Sequence, residues 1–362
     1  MRNPAIFWGV MALLQVFWII IALGAYWWLR PLLPKRPHPW LAIFLTALVG
    51  NGLLLAFNTV LPEWRWRGTM AVLLFATYAL MFTLMWTLVH TLLRWVVARR
   101  LLNRSIRVLV PVAWLAAIAA GLYGAYVPTV VHYQVKIDKP LAKPLRIALV
   151  SDTHLGRFIG ARHLRELQTI LKRERADVLL LAGDVMDDVP TVYRKQHMAR
   201  LMSGLKTPLG QYAVLGNHDN YGGEQQGIVK DLQAAGFTTL RDEHTTVNQQ
   251  FVLVGRRDKV ENRASATQVI PKSDLPVIVM DHQPADMDAI ANTRADLVVS
   301  GHTHRGQVFP ATLLIKYFQT YPYGHYRIDD SQLVVTSGYG LWGLPFRLGA
   351  RSEVAIIELI GK

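Results

Sequence analysis

Short polar clusters rich in histidine and carboxylate residues recur in the last two thirds of this 362-residue chain. They are Ser151-Asp152-Thr153-His154, Gly183-Asp184, Gly216-Asn217-His218-Asp219, Asp281-His282 and Gly301-His302-Thr303-His304. Imidazoles, carboxylates and amides are side chains that hold Zn, Mn or Fe ions. The chain has no cysteine, so thiolate ligands, disulfides and cysteine nucleophiles are excluded. The clusters therefore indicate divalent-metal chemistry.

The spacing within the clusters allows two ions to be held side by side. Asp152 and His154 lie two residues apart, so in an extended segment their side chains point the same way and can reach one ion. His302 and His304 share this spacing. A carboxylate such as Asp184 has two oxygens and can bridge two cations. Two ions about 3.5–4 Å apart activate water and neutralise phosphate charge, which predicts phosphoryl-transfer chemistry.

The polar clusters follow short apolar runs rich in β-branched residues. These runs predict strands at 146–150, 178–182, 212–215, 251–254, 277–280, 297–300, 333–336 and 354–359. Between the first two lies a predicted helix, 161–175, with Leu164, Leu167, Ile170 and Leu171 on one face. Alternating strands and helices predict an α/β domain. The carboxyl ends of its strands would bring the clusters together.

The first third of the chain contains four long apolar stretches without charged residues. They run from Ile6 to Leu29, Leu41 to Leu61, Thr69 to Leu93 and Val108 to Val131. Each exceeds the roughly 20 residues that cross a bilayer as a helix. We therefore predict a four-helix transmembrane domain over 1–131, a linker over 132–144 and the α/β domain over 145–362.

The distribution of charge predicts how the chain crosses the membrane. Residues 1–131 hold 11 Lys/Arg and one acid, Glu63. The segments after the first and third apolar stretches carry eight basic residues against three on the opposite side, so they are expected to face the cytoplasm. The α/β domain would then lie on the extracytoplasmic face of a bacterial-type inner membrane. Since residues 132–362 lack a dense basic stretch with interleaved aromatics, we expect no nucleic-acid partner.

Four polar residues, Gln15, Asn51, Asn58 and His90, lie within the predicted spans. Polar groups inside a bilayer are costly unless they are paired. We expect hydrogen bonds between helices of the bundle, and contact of His90 with a lipid headgroup is the alternative.

At the polar clusters the chain resembles the calcineurin-like metallophosphoesterases. The five blocks of that family, Asp-x-His, Gly-Asp, Gly-Asn-His-Asp/Glu, a lone His and Gly-His-x-His, occur in order over roughly residues 144–360. The resemblance implies a β-sandwich flanked by helices and two divalent ions, which could be Mn, Fe or Zn. It implies that one ion binds Asp152, His154, Asp184 and His304, and the other Asp184, Asn217, His282 and His302. It further implies that His218 protonates the leaving group and that Asp219 orients His218.

The whole chain resembles a subgroup of that family with membrane-spanning helices ahead of the phosphoesterase domain. The segments Gly338-Tyr339-Gly340-Leu341-Trp342-Gly343 and Arg347-Leu348-Gly349-Ala350-Arg351 fit this subgroup. Arg305 departs from the family pattern, because many relatives have glycine after the second histidine of the last block. Arg157 and Arg305 are candidates for binding the substrate phosphate.

Together these features predict a membrane-anchored, two-metal phosphoesterase that acts on a membrane lipid or lipid-linked phosphoester. One alternative is a pyrophosphohydrolase of the UDP-2,3-diacylglucosamine type in lipid A synthesis, which would meet its substrate in the cytoplasm. Another is a non-catalytic metal-binding receptor or scaffold. An inactive relative would be expected to lose ligands or His218, and none is lost. A transporter is less favoured, because the four spans carry no intramembrane charge.

Overall fold

Four long helices form most of the N-terminal part of the chain. In the computed structural model, which describes residues 4–30, 38–60, 65–187 and 189–362, they are α1 (Pro4–Leu29), α2 (Pro39–Thr59), α3 (Arg65–Leu93) and α4 (Arg99–Tyr126). All four are long and apolar enough to cross a membrane, as predicted. The chain divides into two compact units, Met1–Ala119 and Ala120–Lys362. Glu63 and the predicted end of the second span at Leu61 lie outside the described residues.

Polar side chains inside the first unit pair with one another. The Asn51 Nδ2 donates to Gln15 Oε1 at 3.0 Å, and His90 Nε2 lies 2.9 Å from Asn103 Oδ1. These pairs join α1 to α2 and α3 to α4, as predicted for Gln15, Asn51 and His90. The side chain of Asn58 lies outside the described part of the structure.

The fourth helix differs from its prediction at both ends. It begins at Arg99 rather than Val108 and ends at Tyr126 rather than Val131. A charge-free run marks only the part that crosses hydrocarbon, whereas long arginine side chains can extend from the first turns towards the headgroups. The apolar residues after the helix belong to strand β1 (Thr129–Lys136). The predicted linker, 132–144, therefore starts within a strand.

Two six-stranded sheets form the core of the second unit, in the orders β1-β12-β2-β3-β4-β5 and β10-β11-β9-β8-β7-β6. The further strands are β2 (Leu145–Val150), β3 (Val178–Ala182), β4 (Gln211–Val214), β5 (Thr238–Thr239), β6 (Glu243–Val247), β7 (Phe251–Gly255), β8 (Val277–Met280), β9 (Leu297–Ser300), β10 (Gly324–Ile328), β11 (Ser331–Val335) and β12 (Glu353–Ile360). Strands β2, β3 and β4 are parallel, as are β7, β8, β9 and β11. In each sheet the carboxyl ends of these strands consequently share one edge.

Short helices connect the strands of the second unit. They are α5 (Ala161–Glu174), α6 (Thr191–Lys195), α7 (Ala199–Met202), α8 (Asn217–Tyr221), α9 (Gln225–Ala234), α10 (Ala266–Val269), α11 (Met287–Ala291) and α12 (Ala311–Leu314). The predicted apolar face of α5 is buried against the first sheet, and α10 and α11 pack on the second.

Strand side chains alternate between two buried faces, which explains their continuous apolar runs. In β2, Leu145, Ile147 and Leu149 point into the core between the sheets, whereas Ala148 and Val150 pack towards the helices. The second sheet alternates in the same way. The layers are helix, sheet, sheet and helix, so the predicted β-sandwich flanked by helices is confirmed.

The strand that follows the last membrane helix belongs to the first sheet. β1 pairs in parallel with β12 along its whole length, from Thr129 opposite Glu353 to Lys136 opposite Ile360. The β12 strand then pairs antiparallel with β2, which joins β1 to the rest of the sheet.

Candidate metal centre

The predicted metal ligands converge at the carboxyl ends of five strands. The residues are Asp152 and His154 after β2, Asp184 after β3, Asn217 after β4, His282 after β8, and His302 and His304 after β9. All are buried except His302, which is half-buried. Because they come from both sheets, the site lies across one end of the sandwich.

Asp152, His154 and His304 form one group whose ligand atoms all lie within 4.8 Å of one another. The Nε2 atoms of His154 and His304 are 3.3 Å apart, and His304 Nε2 lies 3.4 Å from Asp152 Oδ1. The backbone N–H of His302 donates to both Asp152 oxygens, at 3.1 and 3.0 Å, and fixes this carboxylate. Two imidazole nitrogens aimed at each other beside a carboxylate are a donor set that fits a divalent cation.

Asp184, His282 and His302 form the second group. His282 Nε2 lies 3.2 Å from Asp184 Oδ2. The amide oxygen of Asn217 lies 3.2 Å from His282 Nε2 and 2.9 Å from His302 Nδ1. His282 Nδ1 lies 2.8 Å from the carbonyl oxygen of Ala182 and can donate to it, which leaves Nε2 available as a ligand.

Asp184 lies between the two groups. Its Oδ2 is 3.7 Å from His154 Nε2 in the first group and 3.2 Å from His282 Nε2 in the second. Its Oδ1 accepts a hydrogen bond of 2.8 Å from the backbone N–H of His218. This position fits a carboxylate shared by two cations, and the two groups fit the two divalent ions expected for the family.

The backbone of the site is held in an uncommon conformation. Asp152, His154, Asp184, His302 and His304 all have positive φ, at 54°, 41°, 50°, 68° and 48°. Non-glycine residues rarely adopt this left-handed region, and such strain persists where the surrounding structure enforces it, often at functional sites. The strained turns aim these side chains at one another.

Two glycines permit the loops to approach closely. Gly183 has φ +86°, and a Cβ there would overlap with the ring of His282. At Gly216 a Cβ would overlap with the Asp184 carboxylate. Any larger residue at either position would therefore displace a predicted ligand.

The two carboxylates have different electrostatic surroundings. Burial raises the pKa of Asp152 to about 6. Burial also opposes ionisation of Asp184, but the imidazoles of His282 and His154 outweigh it and hold the pKa of Asp184 well below its usual value. Conversely, the Asp184 carboxylate outweighs burial at His282 and raises the pKa of that imidazole. As the pH falls, Asp152 is therefore protonated before Asp184.

His218 lies at the edge of the metal centre. Its ring centroid is 4.9 Å from that of His154, 5.1 Å from that of Tyr221 and 6.3 Å from that of Trp342. His218 is half-buried, so one side of the ring can meet a bound molecule. This is a suitable position for proton transfer to a group held at the ions.

Asp219 is fully buried and holds the loops of the site together. Its two oxygens accept hydrogen bonds from the backbone N–H groups of Val185, Met186 and Gly216, at 3.1, 2.9 and 2.9 Å. Burial and the nearby Asp184 charge raise the pKa of Asp219 to about 7. These contacts indicate that Asp219 fixes the turns after β3 and β4. Its predicted role in orienting His218 stays a prediction.

The two candidate phosphate-binding arginines are both exposed. Arg157 lies in the turn between β2 and α5. The guanidinium carbon of Arg305 lies 4.3 Å from the ring centroid of Tyr323. This stacking gives Arg305 a structural contact, and its role towards substrate stays a prediction.

Two features of the site were not assigned from the sequence. Arg347 is fully buried, and its Nη2 lies 3.0 Å from His304 Nδ1. Asp281, which precedes His282, accepts hydrogen bonds from Arg256 at 2.9 Å and Arg263 at 3.1 Å. The signal available for Arg347 was its position in the segment typical of the membrane-spanning subgroup.

Comparison with known proteins agrees with this geometry. The family model for calcineurin-like phosphoesterases matches residues 145–306. An uncharacterised metallophosphoesterase of Helicobacter pylori is 30% identical over 274 residues, which cover 73% of this chain and 73% of that protein. One from Campylobacter jejuni is 30% identical over 321 residues and 82% of both chains.

A zebrafish (Danio rerio) transmembrane protein with a metallophosphoesterase domain is 31% identical over 252 residues. The match covers 64% of this chain, which spans 57% of the zebrafish protein. The family match, the relatives and the five ligand-bearing strand ends lead to one conclusion. The chain belongs to the calcineurin-like phosphoesterases, a family of metal-dependent phosphoester hydrolases, and here the domain follows four membrane helices.

Proposed function

We propose that this protein hydrolyses a phosphate ester or pyrophosphate bond of a lipid-linked substrate at the membrane surface. The observation that carries the proposal is the pair of ligand groups that meet at Asp184, with the ring of His218 beside them. The four membrane helices, which would confine the domain to the bilayer plane, support this substrate class.

In this proposal the first ion is held by Asp152, His154, Asp184 and His304, and the second by Asp184, Asn217, His282 and His302. When bound, two divalent ions lower the pKa of water and neutralise charge on phosphate oxygens. His218 donates a proton to the leaving oxygen from the open side of its ring. Asp219 keeps the turn that carries His218 in place through its three backbone hydrogen bonds.

The substrate phosphate needs positive or hydrogen-bonding groups beyond the ions. Arg157 and Arg305 are the proposed contributors, because both are exposed and Arg305 directly follows the ligand His304. The stacking of Arg305 on Tyr323 would orient its guanidinium.

The proposed location is the extracytoplasmic face of a bacterial-type inner membrane. Basic residues at the N-terminal end of α4 and after α1 and α3 support a cytoplasmic position for those ends. A periplasm-active reporter fused after Lys362 should be active. A silent but well-expressed fusion would place the domain in the cytoplasm and favour the UDP-diacylglucosamine type of substrate.

The activity is tested with the full-length protein in lipid nanodiscs. Hydrolysis of bis-p-nitrophenyl phosphate should require added Mn²⁺, stop with chelator and return when metal is restored. Chelator-resistant hydrolysis would contradict the two-metal mechanism. A panel of phospholipids, UDP-linked lipids and soluble nucleotides then identifies the substrate, and a clear preference for soluble nucleotides would contradict the lipid-linked class.

A further inference from the structure

A short apolar segment close to the metal centre is exposed. Neither α12 nor the 3-10 turn that follows it, Ile315–Tyr317, contains a buried residue. The side chains of Leu313, Leu314, Tyr317 and Phe318 are 58, 46, 73 and 78% exposed, and we call these four residues the apolar patch. Four large apolar groups within six residues are unusual on a water-facing surface and mark an interaction site.

Elsewhere the exposed large apolar residues of the domain are scattered. Among the described residues after α4 they are Val189, Tyr221, Val260 and Trp342. None of these four neighbours another in the sequence, whereas the apolar patch is one continuous segment. The patch therefore requires a specific explanation.

The apolar patch is connected to the end of the last membrane helix through one loop, 346–350. Within this loop, the backbone N–H of Arg347 donates to the Gly121 carbonyl of α4 at 2.9 Å. A Cβ at Gly121 would overlap with Phe346. The same loop also contacts the residues that precede the patch. The backbone N–H of Phe309 donates to the carbonyl oxygen of Leu348 at 2.7 Å. A Cβ at Gly349 would lie 2.8 Å from Thr312 Oγ1.

The depth of these contacts follows from the length of α4. From Val108 to Tyr126 the helix rises roughly 28 Å, close to the roughly 30 Å hydrocarbon core, so we place the bilayer surface near the last turns of α4. Gly121 lies roughly 8 Å before that end of the helix. The loop that contacts Gly121 consequently lies within roughly 8 Å of that surface. The apolar patch begins at the residue after Thr312, which contacts this loop.

We propose that the apolar patch inserts into the bilayer surface at which α4 ends. Leu313, Leu314 and Phe318 would enter the acyl boundary and Tyr317 the headgroup layer, as in interfacial helices. Lys316, 5.2 Å from the Tyr317 ring centroid, can extend to anionic phosphates. Continuity with a membrane helix and this positive charge favour lipid as the occupant over a second protein.

This insertion would present headgroups to the active site, a consequence that rests on the proposed function. The segment from His304 to the patch is short, and Gln307 within it exchanges two hydrogen bonds of 2.8 Å with the backbone of Trp342. Trp342 in turn lies beside His218. A phosphoester in the headgroup layer would therefore meet the proposed proton donor close to the patch.

Insertion can be measured without catalysis, because the cysteine-free chain accepts single nitroxide labels. The full-length variants Phe318→Cys and Asp330→Cys are compared in nanodiscs of phosphatidylethanolamine and phosphatidylglycerol. Asp330 is an exposed turn residue at the amino end of β11, at the opposite end of the strands from the metal centre. Oxygen should reach the label at 318 better than a water-soluble nickel chelate does, with the reverse at 330.

Two results would overturn the proposal. One is a label at 318 that is as accessible to the nickel chelate as the label at 330. The other is protection from both reagents with dipolar broadening between labels, which would assign the patch to a second copy of the chain.

The double variant Leu314→Gln/Phe318→Gln tests separately whether the apolar patch presents bilayer phosphoesters to the active site. Hydrolysis of bis-p-nitrophenyl phosphate should stay within about twofold, while hydrolysis of a bilayer phosphoester falls about tenfold, because insertion depends on apolar area. Equal rates of the double variant and the unmodified protein on the bilayer substrate would show that the apolar patch does not present this substrate to the active site. Absence of hydrolysis on every substrate by the unmodified protein would contradict the proposed function alone, since the label measurement still decides insertion.

Discussion

The guanidinium of Arg347 donates to Nδ1 of His304 at 3.0 Å from the side opposite the metal centre. Its other N–H groups donate to the carbonyl oxygens of Gly340, Ser337 and Arg351, at 2.7 to 3.1 Å. Because a guanidinium only donates, His304 Nδ1 must accept. Arg347 therefore fixes the ring of His304 with Nε2 directed at Asp152 and His154.

Replacing Arg347 with lysine should weaken metal binding at the group formed by Asp152, His154 and His304. A lysine cannot reproduce the planar fork, and loss of such outer contacts typically lowers metal affinity or activity about 10- to 100-fold. Metal content measured on the purified protein should fall from about two ions per chain towards one. Arg351→Lys is the control, since Arg351 is exposed and contacts Val127. Full retention of both ions in Arg347→Lys would contradict this role.

Replacing His218 with asparagine should slow turnover while both ions remain bound. General acid catalysis contributes about 10²- to 10⁴-fold, so hydrolysis of an alkyl phosphoester should fall by this order. A p-nitrophenyl ester should be affected less, because its leaving group needs little protonation. Equal losses on the two esters, or loss of metal, would show that His218 is not the proton donor.

Replacing Asp184 with asparagine should remove both ions and the activity. The carboxylate faces His154 and His282 from its position between the two groups, and an amide offers only one neutral oxygen. Metal analysis of the purified variant gives the measurement, and Asp330→Asn on the surface is the matched control. Retention of one tightly bound ion would show that Asp184 serves a single cation.

His163 should make the domain sensitive to acid independently of the metal centre. It is buried beside Tyr126, with a ring centroid distance of 5.7 Å, and its Nε2 has no hydrogen-bond partner among the described residues. Burial, followed by the charge of Arg162, lowers the pKa of His163 from 6.5 to about 4. As the pH falls, His163 is therefore protonated in the unfolded chain before it is protonated in the folded protein. The stability given by the neutral ring is present above pH 6.5 and is lost towards pH 4.

The expected contribution of His163 to the free energy of unfolding is up to about 3 kcal/mol across that interval, because each tenfold change in proton affinity corresponds to about 1.4 kcal/mol. His163→Phe keeps an aromatic ring that cannot be protonated. The difference in unfolding free energy between the two proteins, measured in denaturant at pH 7.5 and pH 4.5, should change by about this amount. Parallel pH profiles for both proteins would show that His163 is not buried in its neutral form.

The sequence predicted the parts of the fold that are continuous apolar runs. The four spans and the strands before the ligands are apolar on every face, so their runs are visible without knowledge of the neighbours. Strand β1 was missed because its apolar residues continue the run of α4, and hydropathy does not separate a helix end from a strand start. Strands β6 and β10 lie at the edges of the second sheet and contain many polar residues, so their pairing partners define them.

The residues of the candidate site could be predicted because each of them lies directly after a predicted strand or within a few residues of its end. Asp152 and His304, far apart in sequence, come from neighbouring loops because both sheets end at one edge of the sandwich. The contacts of Asp219 and Arg347 could not be predicted in the same way. Their partners are backbone groups and a ring nitrogen in other loops, whose positions depend on the completed fold.

The pairing of β1 with β12 sets the order in which this protein can mature. The segment that leaves the last membrane helix at Thr129 has its parallel neighbour at 353–360, more than two hundred residues later in synthesis. Until the ribosome has delivered those residues, the first sheet lacks the strand that joins its edge to β2. A nascent chain would thus be inserted in the bilayer well before its hydrolytic domain could close, and an exposed strand edge in that interval is a natural target for chaperones.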